Sequence, residues 1–267
     1  MTRISALFER LRSERPALVA YITAGDPSPE RTPAIVAALE RGGADLIELG
    51  VPFSDPVADG PVIQKASERA LRAGTSLRSV LDIARQVRAQ SEIPILLFTY
   101  LNPVIRYGMD ELARDAEAAG VDGCLLTDLS VEEAEPFVAA LRAAHLDTVF
   151  LAAPTSTPER RRLVARHSSG FIYLVSRTGV TGEKDSLSDA VAPLAAAMRE
   201  VTGLPLAIGF GISRPEHVAA AGRLADGVVV GSAFVRLVEQ HGADPSLEDR
   251  LEAFARELSS ALPRRQP

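Results

Sequence analysis

Leu46-Ile47-Glu48-Leu49-Gly50-Val51-Pro52-Phe53-Ser54-Asp55-Pro56-Val57-Ala58-Asp59-Gly60 runs from a short apolar strand, through a turn-rich loop, to the Gly60-Pro61 start of a helical stretch. A strand that does not alternate polar with apolar residues is covered on both faces, as in a parallel sheet made of βαβ units. This strand also carries a carboxylate, Glu48, and the loop carries a second, Asp59. Burying an ionised carboxylate among Leu46, Ile47 and Leu49 has a high free-energy cost unless the acid keeps its proton or finds strong partners. The pairing points to acid–base chemistry and makes Glu48 and Asp59 the candidate catalytic residues. The plainer alternatives are a buried Glu48 satisfied by backbone amides and an Asp59 that only caps the next helix.

Outward from this unit, apolar runs recur at Ala17 to Thr23, Asp45 to Leu49, Ile93 to Tyr100, Asp122 to Leu126, Thr148 to Ala152, Gly170 to Val175, Pro205 to Ile208 and Asp226 to Val230. Between most of them lie segments with apolar residues three and four apart, such as Ala134, Phe137, Val138 and Leu141, the spacing of one helix face. Pro29 is expected early in one helix with Gly42-Gly43 beyond its end, and Ser130 with Glu133 and Ser213 with Glu216 have the spacing of capping boxes. Eight strands alternating with helices predict a single (β/α)8 TIM barrel, one domain over residues 1–267. Two extra helices are expected: one at the N-terminus through Ile4, Leu7, Phe8 and Leu11, and one after the eighth strand through Leu247, Leu251, Phe254 and Leu258.

The 267 residues are 46% hydrophobic and 24% charged, with a net charge of −6 and no block of basic residues. Nucleic acid is therefore not an expected partner. Neither a signal peptide nor a bilayer-spanning run is present in the sequence, so no membrane is expected and the chain reads as cytoplasmic. Its one cysteine, Cys124, lies in an apolar run and reads as a small buried hydrophobe.

Barrels of this kind often hold phosphate in the loops after strands seven and eight. Here those loops read Gly209-Phe210-Gly211-Ile212-Ser213 and Gly231-Ser232-Ala233-Phe234, two glycine turns whose backbone amides lie open to an anion. Loop six adds Gly179-Val180-Thr181-Gly182. A Schiff-base mechanism lacks its lysine, because Lys65 falls in a helical stretch and Lys184 in a loop. Zinc chemistry lacks its cluster: His145, His167, His217 and His241 are scattered through helical or surface-like segments and read as surface histidines, so no metal is expected. General acid–base catalysis by carboxylates remains.

Leu46 to Gly60, Ser176 to Gly182 and Gly209 to Ser213, together with Thr23-Ala24-Gly25-Asp26-Pro27, Tyr100-Leu101-Asn102-Pro103 and Ala153-Pro154-Thr155, occur in an order that closely resembles the tryptophan synthase α-subunit family. The resemblance spans nearly the whole chain. It implies retro-aldol cleavage of indole-3-glycerol phosphate to indole and glyceraldehyde 3-phosphate in tryptophan biosynthesis. Glu48 would be the proton donor to the ring and Asp59 the partner of its nitrogen. It also implies an indole pocket from Tyr21, Phe98, Tyr100, Leu125, Tyr173 and Phe210, phosphate binding by Gly182, Gly211, Gly231 and Ser232, and a closing loop bearing Thr181. No cofactor is implied in this chain. Pyridoxal phosphate belongs to the β subunit of an αββα heterotetramer, which Asp55, Pro56 and Asn102 would contact. One position departs from the pattern: Ser130 stands where the family usually has proline after Asp128-Leu129. A free-standing lyase, a mainly regulatory subunit and a different phosphate-binding barrel enzyme are the competing readings.

Overall fold

The computed structural model describes residues 1–175, 190–209 and 211–265. Its strands are β1 (Ala17–Thr23), β2 (Leu46–Gly50), β3 (Ile95–Thr99), β4 (Gly123–Leu126), β5 in two segments (Asp147–Thr148 and Leu151–Ala152), β6 (Ile172–Val175), β7 (Leu206–Gly209) and β8 (Gly227–Val230). All are parallel. The ladder runs from the first segment of β5 through β4, β3, β2, β1, β8, β7 and β6 back to the second segment of β5. Val149 donates to the Cys124 carbonyl at 3.1 Å, and the Phe150 carbonyl accepts from Tyr173 N–H at 3.1 Å. One strand thus pairs with β4 below and β6 above, which closes the barrel. Each of the eight apolar runs forms a strand, and the expected TIM barrel is the observed architecture.

The surrounding helices are α1 (Arg3–Leu11), α2 (Thr32–Arg41), α3 (Pro61–Arg72), α4 (Leu77–Arg88), α5 (Leu101–Tyr107), α6 (Met109–Ala118), α7 (Glu135–Ala143), α8 (Pro158–His167), α9 (Val191–Arg199), α10 (Pro215–Gly222), α11 (Ser232–His241) and α12 (Leu247–Ser260). Two apolar layers result from the alternation of side chains along each strand. Leu18, Ala20, Ile47, Leu97 and Ile208 face outward into the layer under the helices. Val19, Tyr21, Leu46, Leu96, Phe98, Leu125, Val149, Phe171, Tyr173, Ala207 and Val229 fill the interior. The N-terminal helix α1 seats Ile4, Leu7, Phe8 and Leu11 in that interior layer, with the Phe8 ring 5.5 Å from Phe171. The other expected helix, α12, buries Leu247, Leu251 and Leu258 and packs beside α2.

Several local expectations are corrected. Ser130 makes no capping bond and instead hydrogen-bonds Glu132, and the N-cap of α10 is Arg214 rather than Ser213. Pro29 precedes α2 in a turn, and Pro33 occupies the first turn. The capping box lies at Ser76 and Ser79 of α4, where each side chain takes the other's backbone N–H. His167 and His217 are not surface residues: each is buried, with the His167 ring against Phe150.

Candidate active site

Register places the first carboxylate. Glu48 lies beside Tyr21 on β1 and Leu96 on β3, and like Leu46 two residues earlier it points into the barrel. It is 1% exposed, and among the described residues neither carboxyl oxygen has a hydrogen-bond partner. The amide-satisfied alternative therefore does not describe it. Desolvation without compensation disfavours the charged form and pushes the Glu48 pKa up to about 8.

Asp59 reaches the same space from loop residues 51–60. It is buried, which raises its pKa to about 6, and the hydroxyl of Tyr100 donates to its Oδ2 at 2.9 Å, which opposes that rise. It does not cap α3 with its side chain: that helix starts from Gly60 and Pro61, and the Asp59 carbonyl accepts from Gln64 Nε2 at 2.8 Å. Two carboxyl groups held with ionisations on opposite sides of neutrality are equipped as an acid and an anion.

Both line one cleft at the carboxyl ends of the strands, together with Tyr21, Ile63, Phe98, Tyr173, Gly211, Ile212, Val229, Gly231 and Ser232. Aromatic walls and glycine turns in one cleft match a flat apolar ring joined to an anionic group. Tyr21 and Phe98 meet edge to face at 5.2 Å. Gly211 adopts φ +79, which favours glycine. Gly231 precedes α11, which opens at Ser232 with first-turn amides that lack intrahelical partners.

The remaining expected residues fall elsewhere. Leu125 is fully buried in the interior layer without facing the cavity, and Tyr100 stands behind Asp59. Asp55 and Asn102 are exposed at the rim and Pro56 is half-buried. Thr181, Gly182 and Phe210 lie outside the described residues, as does Lys184. Ile63, Ile212 and Val229 line the cavity without having been singled out from the sequence. Val229 carries the findable signal, since it lies two residues before Gly231 and hence on the inward face of its strand. Among the described residues no three histidine, cysteine or acidic side chains are grouped to hold a metal ion. Burial pushes the Cys124 thiol up to about 12, in keeping with a packing role.

The family model described as "Tryptophan synthase alpha chain" matches residues 8–263. Among curated relatives, the tryptophan synthase alpha chain of Solibacter usitatus is 68% identical over 259 residues, covering 97% of either chain, and that of Geotalea uraniireducens is 51% identical over 98% of each. Among solved structures, a tryptophan synthase chain from Mycobacterium tuberculosis superposes with a TM-score of 0.91 at 37% identity, covering 100% of this chain and 99% of that one. The alpha subunit from Legionella pneumophila gives 0.87 at 38% identity, covering 98% of each. With sequence and barrel agreeing along almost the full length, this chain belongs to the tryptophan synthase alpha chain family of lyases in tryptophan biosynthesis.

Proposed function

We propose that the chain cleaves indole-3-glycerol phosphate to indole and glyceraldehyde 3-phosphate by general acid–base catalysis without a metal. The observation that carries this reading is the unpartnered, buried Glu48 carboxyl in a cavity shared with Asp59. Indole is a poor carbanion leaving group, so the ring has to be protonated at carbon three before the carbon–carbon bond can break. A carboxyl that keeps its proton at neutral pH can supply it. The ring nitrogen then carries positive charge, which the Asp59 carboxylate stabilises. The Glu48 carboxylate so formed takes the proton of the glyceryl hydroxyl as the bond breaks. The electron pair returns to the ring, the aldehyde forms, and Glu48 ends protonated as it began. Such proton transfers contribute about 10² to 10⁴-fold.

In the same reading the glycine turns at Gly211 and Gly231-Ser232 hold the phosphate, with Gly182 joining them, and Thr181 closes over the site. Tyr21, Phe98 and Tyr173 flank the indole. The chain works in the cytoplasm with a β subunit in an αββα assembly, through the rim that bears Asp55, Pro56 and Asn102, and pyridoxal phosphate resides in that partner. The test is indole release from indole-3-glycerol phosphate by the chain alone and with β subunit added. Release that rises with the partner supports the whole reading. Release indifferent to it supports a free-standing lyase, and no release in either case overturns the assignment.

A further inference from the structure

Tyr100 stands at the carboxyl end of β3, immediately before α5, and is 2% exposed. Its hydroxyl is engaged twice by loop 51–60: it donates to Asp59 Oδ2 at 2.9 Å and accepts from Ala58 N–H at 3.1 Å. Its ring lies against Phe53, with centroids 5.1 Å apart and planes at 36°. One side chain of the barrel wall thus grips the loop near its start and near its end. Just before the first grip Val51 donates to the Phe98 carbonyl, and between the grips Val57 donates to the Asp55 carbonyl and Asp59 to the Pro56 carbonyl. The loop tip stands in solvent, with Val57 77% exposed.

From this geometry we propose that Tyr100 is a positioning residue for Asp59, its hydroxyl fixing the carboxylate toward the cavity and holding it as the anion. The proposal rests on the reading of Asp59 given under Proposed function and adds the group that makes it competent. A hydroxyl bonded to a carboxylate is stronger than the same bond to a neutral acceptor, so the bond favours the ionised form. The other titratable groups facing Asp59 give no such help. Among the described residues they are Tyr21 from β1, Glu48 from β2 and Tyr173 from β6, none of them a cation, and burial, with the Asp59 charge adding to it, raises the pKa of both phenols. Burial works against the anion, and the Tyr100 hydrogen bond works for it.

The experiment compares the full chain with Tyr100→Phe, which keeps the ring against Phe53 and removes only the hydroxyl. The Asp59 carboxyl is titrated by carbon NMR of aspartate-labelled protein, and indole release is followed from pH 5 to 9. The expected result is an Asp59 titration displaced upward by about one pH unit, a tenfold change in proton affinity. The acidic limb of kcat/KM should move with it, and kcat should fall about tenfold while KM changes less than threefold. Replacing Tyr100 with 3,5-difluorotyrosine, a stronger donor, should move both downward. A titration and a profile that superimpose on the wild type overturn the proposal, as does a uniform loss of rate with no displacement, which is what a merely structural role would give. If the wild-type chain releases no indole, the reading of the reaction falls, and the NMR titration alone still decides whether Tyr100 holds the anion.

Discussion

The hydroxyl of Tyr21 lies 2.3 Å from the point where a Cβ on Gly50 would begin, and the hydroxyl of Tyr173 lies 2.0 Å from the corresponding point on Gly209. On both sides of the cavity a tyrosine of one strand occupies the space that a side chain on the next strand would fill. Gly50→Ala should therefore displace Tyr21 and destabilise the chain by about 1 to 3 kcal/mol, the usual consequence of overpacking. Indole release should fall at least tenfold. Adding Tyr21→Val should restore most of the melting temperature without restoring the rate, and a double variant no more stable than Gly50→Ala would refute the contact.

Glu48→Gln preserves shape and removes the proton that the proposed reaction delivers to the ring. Its kcat for indole release should drop about 10² to 10⁴-fold, while affinity for a phosphate-bearing competitive inhibitor stays within a few-fold, because the glycine turns are untouched. Asp59→Asn should likewise lose at least about 10²-fold. Steady-state rates with inhibitor titrations check both, and near-normal turnover in either variant removes that residue from the chemistry.

In the proposed reaction Asp59 acts as the anion and Glu48 as the acid, so kcat/KM should trace a bell. It should rise as pH passes about 6, where Asp59 loses its proton, and fall as pH passes about 8, where Glu48 loses its own. A profile flat between pH 5 and 9 would contradict the assignment of roles.

The same burial bears on stability. Folded Glu48 keeps its proton to about pH 8, whereas the unfolded chain releases it near the ordinary value of 4.5. Between those limits the folded state holds the extra proton, so stability falls as pH rises, by about 1.4 kcal/mol per pH unit at most. Below 4.5 both states are protonated and the effect vanishes. Glu48→Gln should accordingly melt with the wild type near pH 4.5 and above it at pH 8, by about 1 to 4 kcal/mol in denaturant titrations. Equal stability at pH 8 would mean that the carboxyl finds partners on ionisation.

Ser130 adopts φ −64, the angle that a proline ring imposes. Ser130→Pro should therefore stabilise the chain by about 0.4 to 1 kcal/mol, mainly by restricting the unfolded state. Chemical denaturation would show this, and a loss of stability would indicate that the backbone there relies on the serine.

The strands are legible in the sequence because strands covered on both faces are continuously apolar, and Glu48 stands out as the one charge inside such a run. Other features depend on direction, which composition does not carry. Tyr100 and Tyr173 are both aromatic residues at or near strand ends, yet one faces the cavity and the other turns behind Asp59. The capping box of α4 escapes notice because its third residue is Ser79 rather than the glutamate the usual pattern requires, whereas Ser130 and Ser213 fit the spacing and cap nothing. His167 and His217 are polar letters on helices, and only the packed helix shows that those positions are buried. The break in β5, which lets one strand serve two neighbours, leaves no mark in the letters of Asp147 to Ala152.

The stopper that α1 forms beneath the barrel, with Phe8 lodged against Phe171, has a bearing on traffic. With those side chains filling the base, what is made in the chamber is expected to depart over the same lip by which its precursor came in. A second protein seated on that lip would turn a vessel into a conduit.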